Sequence, residues 1–156
     1  ERNNNPWINN IISYINLDMT TCGDYMNFNA HPLLGDLELE SAKLIQYPYR
    51  EINYTMYDSY VIDRNISFPP YPTGTGSDHA GFLYYNNIPS FDIGFGLITG
   101  GSAVIDTYHT FYDTNEWLFT VDKEWKKAQS IASFVSLLVL KQSQYWLIPF
   151  QLSRYS

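Results

Sequence analysis

Three short stretches hold the residues best suited to chemistry. Thr107-Tyr108-His109-Thr110-Phe111-Tyr112-Asp113-Thr114 sets an imidazole beside a phenol, just after Gly100 and Gly101. A neutral imidazole serves equally as metal ligand or packed hydrogen-bonding group, and among aromatics the packed role is the commoner. The Tyr108 phenol can donate to an oxyanion, although with 14 tyrosines in the chain packing is the default role. Tyr14-Ile15-Asn16-Leu17-Asp18 ends an apolar run in a carboxylate, and Gly74-Thr75-Gly76-Ser77-Asp78-His79 joins a glycine-rich approach to three polar side chains. Each has a plain structural alternative: Asp18 as a loop cap, Ser77 or Asp78 as a helix cap, His31 in a turn, His79 packed or exposed.

Metal chemistry needs three or four His, Cys or carboxylate ligands per ion. Asp18 and His109 are two plausible ones, and no close-spaced pair of the HExxH kind occurs. Ser–His–Asp hydrolysis is conceivable, but there is no G-x-S-x-G elbow. No phosphate loop or dinucleotide fingerprint is present; Gly94-Phe95-Gly96 is an isolated GxG.

Hydrophobic periodicity indicates the elements that must position these residues. Ile11 to Asp18 is nearly continuous in apolar character, which predicts a strand buried on both faces with Asp18 at its C-terminal end. Open α/β sheets place ligands at such strand ends. Gly23 and Asp24 make a turn, Tyr25 to Ala30 alternates as a second strand, and Pro32 opens a helix running to about Gln46. A short helix is expected around Met56 to Asp63, and a loop over Ser67 to Pro72. Ser77 or Asp78 caps a helix from His79 to about Asn86, followed by a strand over Ser90 to Phe95 and a flexible loop through Gly94, Gly96, Gly100 and Gly101. A helical turn spans Asp113 to Phe119. One long helix covers Lys123 to about Leu147, its apolar positions being Trp125, Ala128, Ile131, Ala132, Val135, Leu138 and Val139. Strands alternating with helices read as α/β.

The 156 residues suffice for a sizeable core, and a 45% hydrophobic share is globular. Nine basic against 16 acidic residues leave a net charge of −7, which argues against a nucleic-acid partner. Cys22 stands alone, so no disulfide forms within the chain. Glu1 to Pro6 is not a signal peptide, and the apolar-rich run Ile131 to Leu140 is too short to cross a bilayer. Asn53-Tyr54-Thr55 and Asn65-Ile66-Ser67 are glycosylation sequons.

In their order and spacing, YINLD, GTGSD and YHTFYDT together resemble the glutamate carboxypeptidase II family of two-zinc peptidases, which has the transferrin receptor as a non-enzymatic relative. The likeness runs over roughly residues 11 to 150. It implies a three-layer α/β/α zinc-peptidase sandwich with a mixed sheet, present here in part. Residues 1–120 would be the C-terminal half of the peptidase domain, and 121–156 the start of a helical, dimerisation-like domain. It further implies Asp18 and His109 as zinc ligands, Tyr108 as the donor that stabilises the tetrahedral intermediate, and Gly76 and Ser77 as substrate-pocket wall. Two zinc ions are the implied cofactor, with Glu1 aligned to a structural calcium ligand. The family's remaining ligands and its general base precede the position of Asp18, so the chain is expected to be part of a longer protein.

The expectation is thus a segment of an exopeptidase acting on peptides, homodimeric and extracellular or on a cell surface, with glycans at Asn53 and Asn65. A non-catalytic, transferrin receptor-like ectodomain is the rival, and a stand-alone α/β binding domain the third reading. Relatives selective for acidic dipeptides carry arginines after the GTGSD match; here no Lys or Arg occurs from Gly74 to Tyr112, and Asp92 lies in that stretch. A preference for neutral or apolar substrate residues is expected.

Overall fold

The computed structural model describes residues 6–63, 65, 73–96 and 107–155. Glu1, the loop over Ser67 to Pro72, and Gly100 with Gly101 lie outside these residues.

Three strands form one mixed sheet in the order β1-β3-β2. β1 (Tyr14–Asn16) runs parallel to β3 (Ser90–Gly96), and β2 (Tyr25–Ala30) runs antiparallel to it. The register sets Asn16 opposite Asp92 and Asp92 opposite Asn29, so the three side chains share one face. The other face carries Met26, Phe28, Ala30, Phe91, Ile93 and Phe95, all within the core. Burying each large apolar side chain contributes roughly 1.5–3 kcal/mol.

The helices cover that apolar face. His31 caps a 3-10 turn, Pro32–Leu34, its Nδ1 accepting from the Leu33 N–H at 3.3 Å. α1 (Gly35–Ala42) follows and buries Leu37, Glu38, Ser41 and Ala42 on one stripe. It ends at Ala42, short of the expected Gln46. α2 (Met56–Asp58) continues into a π-helical turn, Ser59–Asp63, and starts with a capping box between Thr55 and Asp58. Tyr60 and Phe134 both pack against Phe28, with ring centroids at 5.2 and 5.4 Å.

α3 (Asn115–Val121) is capped by Thr114. α4 (Lys126–Gln144) begins later than expected, because Glu124 and Trp125 take left-handed φ of 63° and 57°. Asp122 compensates: its carboxylate accepts from the N–H groups of Lys127 and Ala128 at 2.8 and 2.9 Å. The buried stripe of α4 is Lys127, Ile131, Phe134, Leu138 and Gln142. Trp125, Ala132 and Val139, expected on the core face, are exposed instead. Two apolar stripes compete on this helix, and the one carrying Phe134 turns inward because it buries the larger ring. Ile131, Phe134 and Leu138 join the same core as the sheet.

The strand expected over Ile11 to Asp18 pairs only over Tyr14–Asn16, and it is not buried on both faces: Ile12 and Leu17 are exposed. Among the described residues β1 is an edge strand, paired with β3 alone. The architecture is therefore α/β with a small mixed sheet and a long C-terminal helix.

Candidate functional site

β1 and β3 are parallel, so their C-terminal ends leave the sheet at one edge. Asp18 stands two residues beyond β1, exposed, and Met19 turns the chain sharply with φ 51°. The following loop folds back along β3: Phe95 N donates to Thr20 O at 2.7 Å and Gly23 N to Phe95 O at 2.9 Å. A Cβ on Gly23 would lie 2.0 Å from the carbonyl oxygen of Gly96, so only glycine permits this approach. Gly94 and Gly96 thus belong to β3 and to loop packing, not to the flexible loop expected there.

Ser77 meets Asp18 here. Its hydroxyl donates to Asp18 Oδ2 at 2.7 Å and accepts from Asn16 Nδ2 at 2.9 Å. Asn16 Nδ2 also reaches Asp92 Oδ1 at 2.9 Å. The YINLD and GTGSD stretches are therefore joined through one hydroxyl, between residues 59 apart in the chain. Ser77 does not cap the helical segment beyond it, and neither does Asp78: the π-helical turn Gly81–Tyr85 has no side-chain cap. His79 is buried, with its Nε2 at 2.8 Å from Gly74 O, and so ties the two ends of the glycine-rich loop together. Gly76 is exposed, with open space where a Cβ would lie.

The stretch from Thr107 to Thr114 is a run of turns. Thr110 Oγ1 bonds the Thr107 carbonyl at 2.7 Å, and His109 takes φ 58°, a conformation costly for a side chain with a Cβ. Tyr108 and His109 stack, ring centroids 3.8 Å apart, and both are exposed. Burial first, then the charges of Asp113 and Asp18, push the Cys22 thiol up from its ordinary value.

Carboxylate and imidazole are proper donors for zinc, and Asp18 and His109 suit such an ion by type. By number they do not complete a site: among the described residues no three His, Cys, Asp or Glu side chains converge. Asn53 and Asn65 are both exposed. No described helix is long and apolar enough to cross a membrane.

Asn16 escaped the sequence reading, although it connects Ser77 to Asp92 and is only 4% exposed. Its signal was a lone amide inside an apolar strand, where a buried polar group must find partners.

The chain is an α/β segment whose polar residues gather at the C-terminal edge of a parallel strand pair. No family profile matches the chain. Several curated proteins align with almost all of it, among them the following three. Over 153 residues, 96% of the chain, it is 31% identical to "Probable glutamate carboxypeptidase" of Arthroderma benhamiae, covering 20% of that protein. Identity to "Probable glutamate carboxypeptidase LAMP1" of Arabidopsis thaliana is 26%, over 100% of the chain and 22% of the relative. Identity to "Aminopeptidase NAALADL1" of Rattus norvegicus is 24%, over 93% and 21%. The chain is homologous to a stretch of glutamate carboxypeptidase-like proteins, as the three motifs implied, and it spans about a fifth of the length of the curated relatives it matches.

Proposed function

We propose that this chain is a segment of a two-zinc exopeptidase, of the glutamate carboxypeptidase-like kind, that hydrolyses peptides. The observation that carries the reading is the bond from Ser77 to Asp18, which unites two of the matched motifs at a strand end. The peptidase names of the homologues support it. In this reading the fold is part of a three-layer α/β/α sandwich. Asp18 and His109 are zinc ligands, completed by ligands from the remainder of the same protein. Bound zinc would polarise the scissile carbonyl and acidify water. Ser77 orients the Asp18 carboxylate through its hydroxyl, and with Gly76 it lines the substrate pocket. Tyr108 donates its phenol proton in a hydrogen bond to the developing oxyanion. Exposed Asn53 and Asn65 suit glycosylation, and with it a secreted or cell-surface location.

Metal analysis of the folded full-length protein tests the assignment. Asp18→Ala or His109→Ala is expected to lower zinc content and abolish hydrolysis. Tyr108→Phe should keep the zinc and slow turnover by roughly 10²–10³-fold, the effect of losing one oxyanion donor. Full zinc occupancy in His109→Ala would favour the second reading, a non-catalytic receptor-like segment. That reading draws on the lack of three converging ligands among the described residues.

A further inference from the structure

A lysine lies in the buried stripe of α4. Lys127 is only 2% exposed, and an ammonium so placed needs partners. Its Nζ donates to Asp24 Oδ1 at 2.7 Å and to the Val121 carbonyl at 2.9 Å. The two partners belong to different stretches of the candidate site. Asp24 closes the loop that leaves Asp18 and stands just before β2. Its carbonyl accepts from the Tyr47 hydroxyl, and its neighbour Gly23 lies against Gly96. Val121 ends α3, the helix that opens directly after the Tyr108 to Thr114 stretch. Asp122 fixes the corner between α3 and α4. It is fully buried, and its carboxylate also accepts from the Tyr49 hydroxyl at 3.0 Å.

Stability is a poor reason for an ammonium at this place. Ile131 and Phe134 share the stripe, and a methionine would extend it without burying a charge. Exchanging a buried ion pair for apolar side chains is often neutral or stabilising. The Asp24 side chain is 82% exposed, so it stays hydrated when left alone. What the ammonium adds is direction. Two hydrogen bonds from one nitrogen fix the distance between the loop after Asp18 and the end of α3.

We infer that Lys127 is a positioning residue: it holds the Asp18–Asp24 loop and the α3–α4 corner in one arrangement, and turnover depends on that arrangement. The part concerning turnover rests on the peptidase reading; the part concerning the loop does not.

The test compares the full-length protein with its Lys127→Met variant in three measurements. These are the melting midpoint, peptide-level hydrogen exchange by mass spectrometry, and hydrolysis of the dipeptides Ala-Ala, Leu-Ala and Asp-Glu. The midpoint should equal or exceed the parent's. Exchange over Thr20 to Asp24 should quicken about tenfold or more, a local opening. The Tyr14 and His31 amides, bonded to Pro89 and Ser90 at the other end of the sheet, should exchange as before. For the dipeptide cleaved fastest, kcat should fall about tenfold or more with KM nearly unchanged, because groups are misplaced and not removed. Lys127→Arg keeps the charge and should restore both loop protection and kcat. Asp24→Asn, at an exposed position, should loosen the same loop, and it serves should Lys127→Met fail to fold. Where both fold, the double variant should add nothing to either, since they break one bond. Faster exchange spread evenly over the sheet with a lower midpoint would make Lys127 a stabilising residue only and overturn the inference. Unchanged exchange over Thr20 to Asp24 would overturn it too, as would a loosened loop with kcat intact. If the parent cleaves none of the three dipeptides, the peptidase reading fails and the exchange pattern alone decides the inference.

Discussion

At the scale of the residue, the chain spends stability at two kinds of place. His109 and Met19 hold left-handed backbone in the candidate-site loops. Glu38 lies fully buried on α1, and neither carboxylate oxygen has a hydrogen-bond partner among the described residues. Burial first, then Asp92, raises its pKa well above 4.5. The folded chain therefore holds this proton more tightly than the unfolded chain does. The stability that follows is whole below about pH 4.5 and is lost as pH rises through the folded value. Glu38→Gln cannot ionise, so its melting temperature should match the parent near pH 4 and exceed it increasingly toward pH 8. Parallel curves for the two proteins across that range would show that Glu38 does not titrate in the fold.

At the scale of the element, α4 shows why a periodic pattern leaves a choice. Its sequence offers one stripe through Ile131, Val135, Leu138 and Val139, and another through Ile131, Phe134 and Leu138. The core takes the second, where Phe134 packs on Phe28 of the sheet's apolar face. Phe134→Ala should cost roughly 3–5 kcal/mol, the usual toll of emptying a large aromatic site. Val139→Ala, at a position 52% exposed, should stay within about 0.5 kcal/mol of the parent. Chemical denaturation of both variants checks the facing, and equal losses would mean that α4 is rotated from this arrangement.

At the scale of the whole molecule, the 156-residue chain exposes much apolar surface. Phe111 and Trp146 are fully exposed, Leu147 and Tyr112 nearly so, and among the described residues both β1 and β2 are sheet edges. Contiguous exposed apolar groups and unpaired strand edges promote association. Expressed alone, the chain should bind a hydrophobic dye such as ANS and aggregate with rising concentration. A sharp cooperative melt of a monomeric, non-binding chain would contradict this. If the chain is part of a longer protein, as proposed, segments matching the rest of its homologues' length would cover these faces.

What the sequence determined by itself was local and ordered. β2 and β3 fall where alternation and apolar runs placed them, with Pro32 and the Thr55–Asp58 box starting their helical turns, because period, proline and capping chemistry act over a few neighbours. The three motifs, read in order, led to the same glutamate carboxypeptidase-like relatives that align with the chain. The tertiary structure alone decided which groups meet. Ser77 could have capped its own helix, yet its hydroxyl turns to Asp18; Asn16 reads as one polar residue in a strand, yet it bridges to Asp92 on β3. Local spacing carries no information about partners 59 and 76 residues away in the chain. Sheet order and register bring those groups within 3 Å, and they follow from how the whole apolar face packs beneath α1 and α4.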